Sequence, residues 1–172
     1  LCGASACQCY PINGSGIGLS LRGADIAAKT ALAALDENRA DIQALWAYNA
    51  SYSRLHGGRQ ARLHALQKLL VCDKQENLEQ LFARGLVPLD TAHGEVAARH
   101  HGAEGLKHLF NLLKFVDKPL FLFRLGVVLT TAVRVQAHYG NYPEKYSPKS
   151  FSAWRNEKDR LFSAINRLYG RK

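Results

Sequence analysis

At 172 residues, with 47% hydrophobic and 22% charged side chains, the chain has the length and composition of one globular domain with a buried core, and excludes a disordered or fibrous protein. Lys and Arg outnumber Asp and Glu by 23 to 14, a net charge of +9 with a pI near 9.6. The basic residues are scattered through Arg59/Arg62, Lys68/Lys74, Lys107/Lys114/Lys118 and a tail from Arg155 to Lys172. No aromatic-interleaved stripe, helix-turn-helix, zinc-finger or RNA-recognition pattern accompanies them, which excludes a nucleic-acid binder and leaves a solvated face, or an attraction to anionic head groups or phosphorylated substrates.

In chain order, the first distinctive stretch runs from Tyr10 to Lys29. Pro11 fixes its own φ and offers no N–H. Gly14, Gly16 and Gly18 then let the backbone take positive φ and pass close to a bound group. From there the pattern turns helical, with Ala24, Ala27, Ala28, Ala31, Leu32 and Leu35 as a narrow stripe of mostly small side chains. A glycine-rich loop entering such a helix presents unpaired N–H groups and a positive dipole end, the physical description of an anion or cofactor seat. The competing reading is a loop that lets an alanine-faced helix pack closely on its neighbour.

Asp36-Glu37-Asn38 interrupts that stripe and caps a second helix, which carries Ile42, Leu45, Trp46, Asn49 and Tyr52 toward His56. Gly57-Gly58 is expected to end it. Arg59 to Val71 reads as another amphipathic helix with Leu63, Leu66, Leu69 and Leu70 inward, and Asp73 opens a short one closed by Gly85. Pro88-Leu89-Asp90 is a turn, the stretch from Gly94 to Gly105 is a weak helix, and Leu106, Leu109, Phe110 and Leu113 restore a periodic face. Pro119 breaks that face, and Leu120 to Ala137 is the most hydrophobic helix of the chain. A rigid loop around Pro143 and Pro148 precedes a last helix from about Phe151 to Tyr169. The fold class is therefore mainly α, with one short strand allowed at the N-terminal residues.

Cys2, Cys7 and Cys9 crowd the N-terminus while Cys72 stands alone; Cys7-x-Cys9 is neither a redox pair nor a zinc half-site, so they read as small buried residues of a reducing compartment. The chain holds no methionine, which reads as a fragment or a processed product. His93, Glu95, His100, His101, Glu104 and His108 invite a metal reading, but Gly94, Gly102 and Gly105 weaken any helix that would hold the ligands, so no metal is assigned. Leu120 to Leu129 raises the question of a membrane span. The apolar run is shorter than the roughly 20 residues a span needs and carries Arg124, which favours a core helix, with an interfacial contact as the alternative. No catalytic triad, paired carboxylates or phosphate-binding lysine loop is present, so no catalytic residue is assigned.

With its upstream residues, Leu1 to Ile17 resembles the last flavin-contacting motif of the FAD-dependent geranylgeranyl reductase family. There a short strand ends in Gly-Asp-Ala-Ala, a Pro-x-x-Gly-x-Gly-Ile loop follows, and a long Ala-rich helix comes next. Gly3 sits at the family's glycine, Ala4 stands where the family has Asp, and Pro11, Gly14, Gly16 and Ile17 match the loop, with Ser15 between the glycines. The match is specific over about thirty residues and fades beyond them. It implies the helical C-terminal region of an α/β flavoprotein, with residues 1–35 closing the FAD-binding domain and residues 36–172 forming a helical C-terminal domain. It also implies FAD as cofactor, held in part by Gly3, Ala4, Pro11, Gly14, Ser15, Gly16 and Ile17, and hydride transfer to isoprenoid double bonds. Substrates would be isoprenoid or otherwise apolar, and the location cytoplasmic, with peripheral membrane contact as the variant. Two departures stand out: Ala4 cannot accept the ribityl hydrogen bond that the family's Asp takes, and no Gly-x-Gly-x-x-Gly unit for the ADP half of FAD occurs in these residues. The chain by itself is therefore expected to be colourless and inactive, and the second reading is a non-enzymatic helical module that has lost flavin binding. No motif speaks to oligomeric state.

Overall fold

A computed structural model describes residues 1–84 and 115–170. Pro88-Leu89-Asp90, the histidine-bearing stretch from His93 to His108 and the periodic face from Leu106 to Leu113 lie outside the described residues. Helix α1 spans Ile17–Asp36, α2 Ile42–Tyr52, α3 Gly58–Cys72, α4 Gln75–Ala83, α5 Pro119–Gly140 and α6 Pro148–Tyr169. No strand occurs among the described residues. The short strand expected at the N-terminus is replaced by a 3-10 turn, Gly3–Ala6, because a strand needs a ladder partner and no described segment offers one.

The helix starts follow local chemistry. Asp41 caps α2, accepting from the Ala44 amide at 2.9 Å, and Ser147 caps α6 ahead of Pro148. Pro119 opens α5 in the same favoured position, having no N–H for a first turn to miss.

The core is built on α5, whose inner face lies along α3 and is flanked by α6. Phe121, Leu125, Val128 and Ala132 of α5 meet Ala65 and Leu69 of α3, Leu81 of α4 and Ile165 of α6, all buried. A second cluster joins Trp46 and Ala50 of α2 to Tyr142 and Trp154, with the Trp46 indole donating to the Pro143 carbonyl at 2.8 Å. By length and composition α5 could cross a bilayer, yet its inner face forms this core and Arg124 on it meets Asp73. Its outer face leaves Leu120, Phe123 and Val133 exposed.

Gly57-Gly58 does not end a helix. A π-helical turn, Ser53–Gly57, joins α2 to α3 without a break, and both glycines keep helical dihedrals. Their role is close approach: a Cβ on Gly57 would lie 2.6 Å from the Tyr139 ring, and one on Gly58 2.8 Å from the Gln136 carbonyl oxygen. The stripe Ala24, Ala27, Ala28, Ala31, Leu32 and Leu35 is not buried either: Ala27 is half-buried and the rest are exposed. Helix α1 contacts α2 and the N-terminal turn through Leu19, Gly23 and Ala34, leaving Leu32 and Leu35 61% and 73% exposed. Cys2 and Cys7 are exposed rather than buried, because the turn they flank sits at the surface, and all four cysteines are free thiols.

Asp73 ties four helices together. Its side chain is fully shielded from solvent and accepts from the Lys74 amide at 2.8 Å, Asn77 at 2.7 Å and the Tyr169 hydroxyl at 2.9 Å, with Arg124 3.7 Å away. Burial alone would raise its pKa; the three donors and the guanidinium outweigh it and hold the carboxyl below the ordinary carboxylate range. Arg84 forks onto Asp117 at 2.7 and 2.8 Å while lying over the Phe115 ring.

Asp73→Ala should cost about 2–3 kcal/mol in urea unfolding, since it strands the Tyr169 and Asn77 donors in the core. Because the folded-state pKa is depressed, the stability Asp73 contributes is present above the ordinary carboxylate value of about 4 and is lost as pH falls through the lower folded value. The wild-type protein should therefore weaken in that acid window more than the variant does. Gly58→Ala should destabilise by about 1–3 kcal/mol by overpacking. Gly126→Ala, where nothing lies within 4 Å of the added Cβ, should gain about 0.5–1 kcal/mol. Melting curves of the two variants, moving in opposite directions, check the close-approach account.

Candidate functional site

The glycine-rich segment folds as a tight surface loop leading into α1. The Tyr10 amide donates to the Ser15 carbonyl at 2.9 Å and the Gly14 amide returns to the Tyr10 carbonyl at 2.8 Å, which closes the loop on itself. Asn13 turns its side chain back to accept from the Ser15 amide at 3.0 Å. Gly14 takes a φ of +69°, a conformation favouring glycine, with open space where a Cβ would be. Gly16 is the N-cap of α1 and brings no side chain to cap it; its carbonyl accepts the Ser20 amide at 2.8 Å. The amides of Gly16, Ile17 and Gly18 meet no acceptor among the described residues, and Ile17 is 81% exposed. The loop thus presents outward-facing donors at the positive end of a 20-residue helix.

What holds this loop is a set of three glutamines that sequence reasoning missed. Gln8 is 3% exposed; its Oε1 accepts from the Gly3 amide at 2.6 Å and its Nε2 donates to the Tyr48 hydroxyl at 2.6 Å. Gly23 is glycine for the same reason, since a Cβ there would fall 2.3 Å from the Gln8 Oε1. On α3, Gln60 donates to the carbonyls of Cys7 and Cys9 at 3.2 and 3.0 Å, and Gln67 donates to the Pro11 carbonyl at 2.7 Å. Tyr52 fixes which way the Gln60 amide faces by donating its hydroxyl to Oε1 at 3.1 Å. Burial, with Tyr48, Tyr10 and Cys9 nearby, pushes the Tyr52 phenol up to about 12, so that donor stays protonated across the physiological range. Arg59 adds a cation over the Tyr10 ring, 5.0 Å from its centroid. The signal available in the sequence was the spacing of Gln60 and Gln67, seven residues apart and so on one face of α3.

The positions singled out from sequence lie together at this end of the molecule. Gly3 takes φ +69° and spends its amide on Gln8. Ala4 is exposed in the 3-10 turn, its carbonyl accepting the Cys7 amide at 3.0 Å. Pro11, Gly14, Ser15, Gly16 and Ile17 form the loop and first helical residue just described. Gly16 also has a structural reason to be glycine: a Cβ would sit 3.2 Å from the Cys9 Cβ and 3.4 Å from the Gln8 carbonyl oxygen. Among the described residues no cluster of three metal-ligating side chains forms. Behind the loop, the N-terminal segment, α2, α3 and α6 enclose a cleft of about 870 Å³.

Gln8→Ala should cost about 1–3 kcal/mol, because the Gly3 amide loses its buried acceptor and the Tyr48 hydroxyl the amide that donates to it. Amide hydrogen exchange should show residues 3–16 losing protection while the α3–α5 core keeps its own.

No family model matches the chain. It is similar to a digeranylgeranylglycerophospholipid reductase of Sulfolobus acidocaldarius, 27% identical over 179 residues, a match that covers 96% of this chain and 36% of that protein. The chain thus spans little more than a third of the length of the curated relative it matches, and the geranylgeranyl reductase resemblance carried by the loop residues is met by a relative of that name along nearly the whole chain.

Proposed function

We propose that the chain is part of an FAD-dependent reductase acting on isoprenoid double bonds, with residues 1–35 the closing edge of its FAD-binding domain and residues 36–172 a helical domain. The observation that carries this reading is the set of unpaired amides of Gly16, Ile17 and Gly18 at the head of α1, in the loop whose residues resemble the family's flavin-contacting motif. The reductase similarity supports the same reading.

The residues fit one edge of a flavin and not the whole cofactor. The loop offers backbone donors and a helix dipole, suited to negative charge on the pyrimidine edge of a reduced isoalloxazine ring. Gly14 leaves open space beside it. Ala4 supplies no acceptor for a ribityl hydroxyl, and no Gly-x-Gly-x-x-Gly unit for the pyrophosphate occurs in the sequence. Bound flavin would supply the hydride for reduction. What this chain's own residues contribute is placement. Gln8, Gln60 and Gln67 set the loop in advance, so its donors need little rearrangement to meet a developing charge.

The test is the protein expressed from the whole gene, incubated with FAD, a reductant and a geranylgeranyl lipid. The expected result is a yellow protein with about one flavin per chain and product gaining one H2 per double bond reduced. A whole-gene product that binds no flavin overturns the reading. In that protein, Gly16→Val should weaken flavin binding about tenfold or more, since one lost charge-assisted contact is worth roughly 1.5–3 kcal/mol. It should also lower the melting temperature, through the crowding with Cys9. Unchanged flavin affinity with a lowered melting temperature assigns Gly16 to packing alone.

A further inference from the structure

The turn that leads into the loop carries two thiols that the flavin reading does not use. Cys7 and Cys9 flank Gln8, and the Cys9 amide donates to the Cys7 carbonyl at 2.9 Å, a three-residue turn of the γ type. Consecutive Cα atoms are about 3.8 Å apart, so such a turn holds its first and third Cα within the roughly 4.4–6.8 Å that a disulfide spans. Gln60 braces the same turn, its one amide nitrogen donating to both the Cys7 and the Cys9 carbonyls at 3.2 and 3.0 Å. On the upstream side, the Cys7 and Gln8 amides are spent on the Ala4 and Gly3 carbonyls at 3.0 and 3.1 Å. The backbone carrying the two cysteines is therefore fixed before any bond forms between them.

Exposure divides the three residues. Gln8 is 3% exposed and spends its side-chain amide on the Gly3 amide and the Tyr48 hydroxyl. Cys7 is exposed and Cys9 half-buried, and both are free thiols. The Cys7-x-Cys9 spacing is not the Cys-x-x-Cys of the familiar redox pair, and here a braced turn, rather than spacing, brings the thiols together. Cys9 also touches the head of α1: its Cβ lies 3.2 Å from where a Cβ on Gly16, the N-cap residue, would be.

We propose that Cys7 and Cys9 are a redox-active dithiol, oxidised by a small disulfide such as glutathione disulfide to an intramolecular Cys7–Cys9 bond that is felt at the head of α1. Cys7, the exposed member, attacks as its thiolate on one sulfur of the oxidant; the S–S bond breaks, a mixed disulfide forms and one glutathione leaves. The Cys9 thiolate then attacks the Cys7 sulfur and releases the second glutathione. Two electrons pass from the pair to the oxidant, and the two thiol protons end on the two glutathiones. Because the second step is intramolecular and the turn already holds its partners, it outpaces capture of a second oxidant molecule. Closure draws the two Cβ atoms to about 3.8 Å, which shifts Cys9 relative to Gly16. Excess glutathione runs both steps backward. No flavin takes part, so failure of this proposal would leave the flavin reading untouched.

The experiment is a titration of the full reduced chain with glutathione disulfide in glutathione buffers, followed by trapping with N-ethylmaleimide and peptide mapping by mass. Two of the four cysteines should escape alkylation with the loss of two hydrogens and no retained glutathione, and the bond should map to Cys7 and Cys9. Cys7→Ser and Cys9→Ser should each keep glutathione on the remaining thiol of the pair, while Cys2→Ser should oxidise as the wild type does. Amide resonances of Gly16, Ile17 and Gly18 should shift on oxidation of the wild type and stay in place in Cys9→Ser. Four alkylatable thiols at the most oxidising ratio, a stable glutathione adduct on wild-type Cys7, or a disulfide mapped to Cys2 overturns the pair. Unmoved resonances at Gly16 to Gly18 in the oxidised wild type overturn its link to α1.

Discussion

The close approach of α3 to α5 at Gly57 and Gly58 is the constraint on which the rest of the structure depends. With no Cβ on either residue, the α3 backbone can lie against the Tyr139 ring and the Gln136 carbonyl. That proximity lets Ala61 and Ala65, side chains too short to bridge a wider gap, reach Val135, Val128 and Ala132 and close the core. It also explains the π-helical turn that precedes the glycines. One extra residue in the helical path, Ser53–Gly57, lets α2 follow the Trp46 cluster while α3 follows α5.

From that joint the N-terminal loop inherits its position. Gln60 and Gln67 reach the carbonyls of Cys7, Cys9 and Pro11 from α3, so the loop is registered against the helix that the core fixes most firmly. Gln8 and Tyr48 supply the second attachment, from α2. The consequence is a loop whose internal carbonyls are satisfied by side chains while the amides at the head of α1 are left facing out. A helix end usually satisfies such amides with a capping side chain, and at this end the cap position is glycine.

The two halves of the molecule differ in how they are held. Around Asp73 the links are few, short and polar: three donors, one guanidinium and no water-exposed surface on the carboxylate. Around Trp46 and Trp154 they are aromatic and broad, with His138 stacked on Trp154 at 5.1 Å and bonded to its carbonyl at 2.9 Å. Helix α1 has neither, and its outward stripe of Leu21, Leu32 and Leu35 is apolar and exposed among the described residues.

The sequence by itself determined the elements: the proline at the head of α5 and the i, i+3 and i, i+4 spacings of Leu66 with Leu69 and Leu161 with Ile165 are local signals, decided within a few residues of chain, although the α2 cap falls on Asp41 rather than on Asp36-Glu37-Asn38 and α6 begins at Pro148 rather than near Phe151. The loop from Pro11 to Ile17 was legible for the same reason, since positive φ and open amides follow from glycine and from a helix start. What only the tertiary structure decided is which faces meet. The alanine stripe of α1 has the period of a buried face yet stays at the surface, because burial requires a partner and α2 takes the side bearing Leu19 and Gly23. Gly57-Gly58 reads as a helix end and serves instead as a contact, because a glycine's value there depends on α5, which lies some eighty residues away in the chain. Gln8, Gln60 and Gln67 carry no local signal strong enough to single them out, since a glutamine becomes a structural pin only when folding puts a backbone carbonyl or amide within its reach.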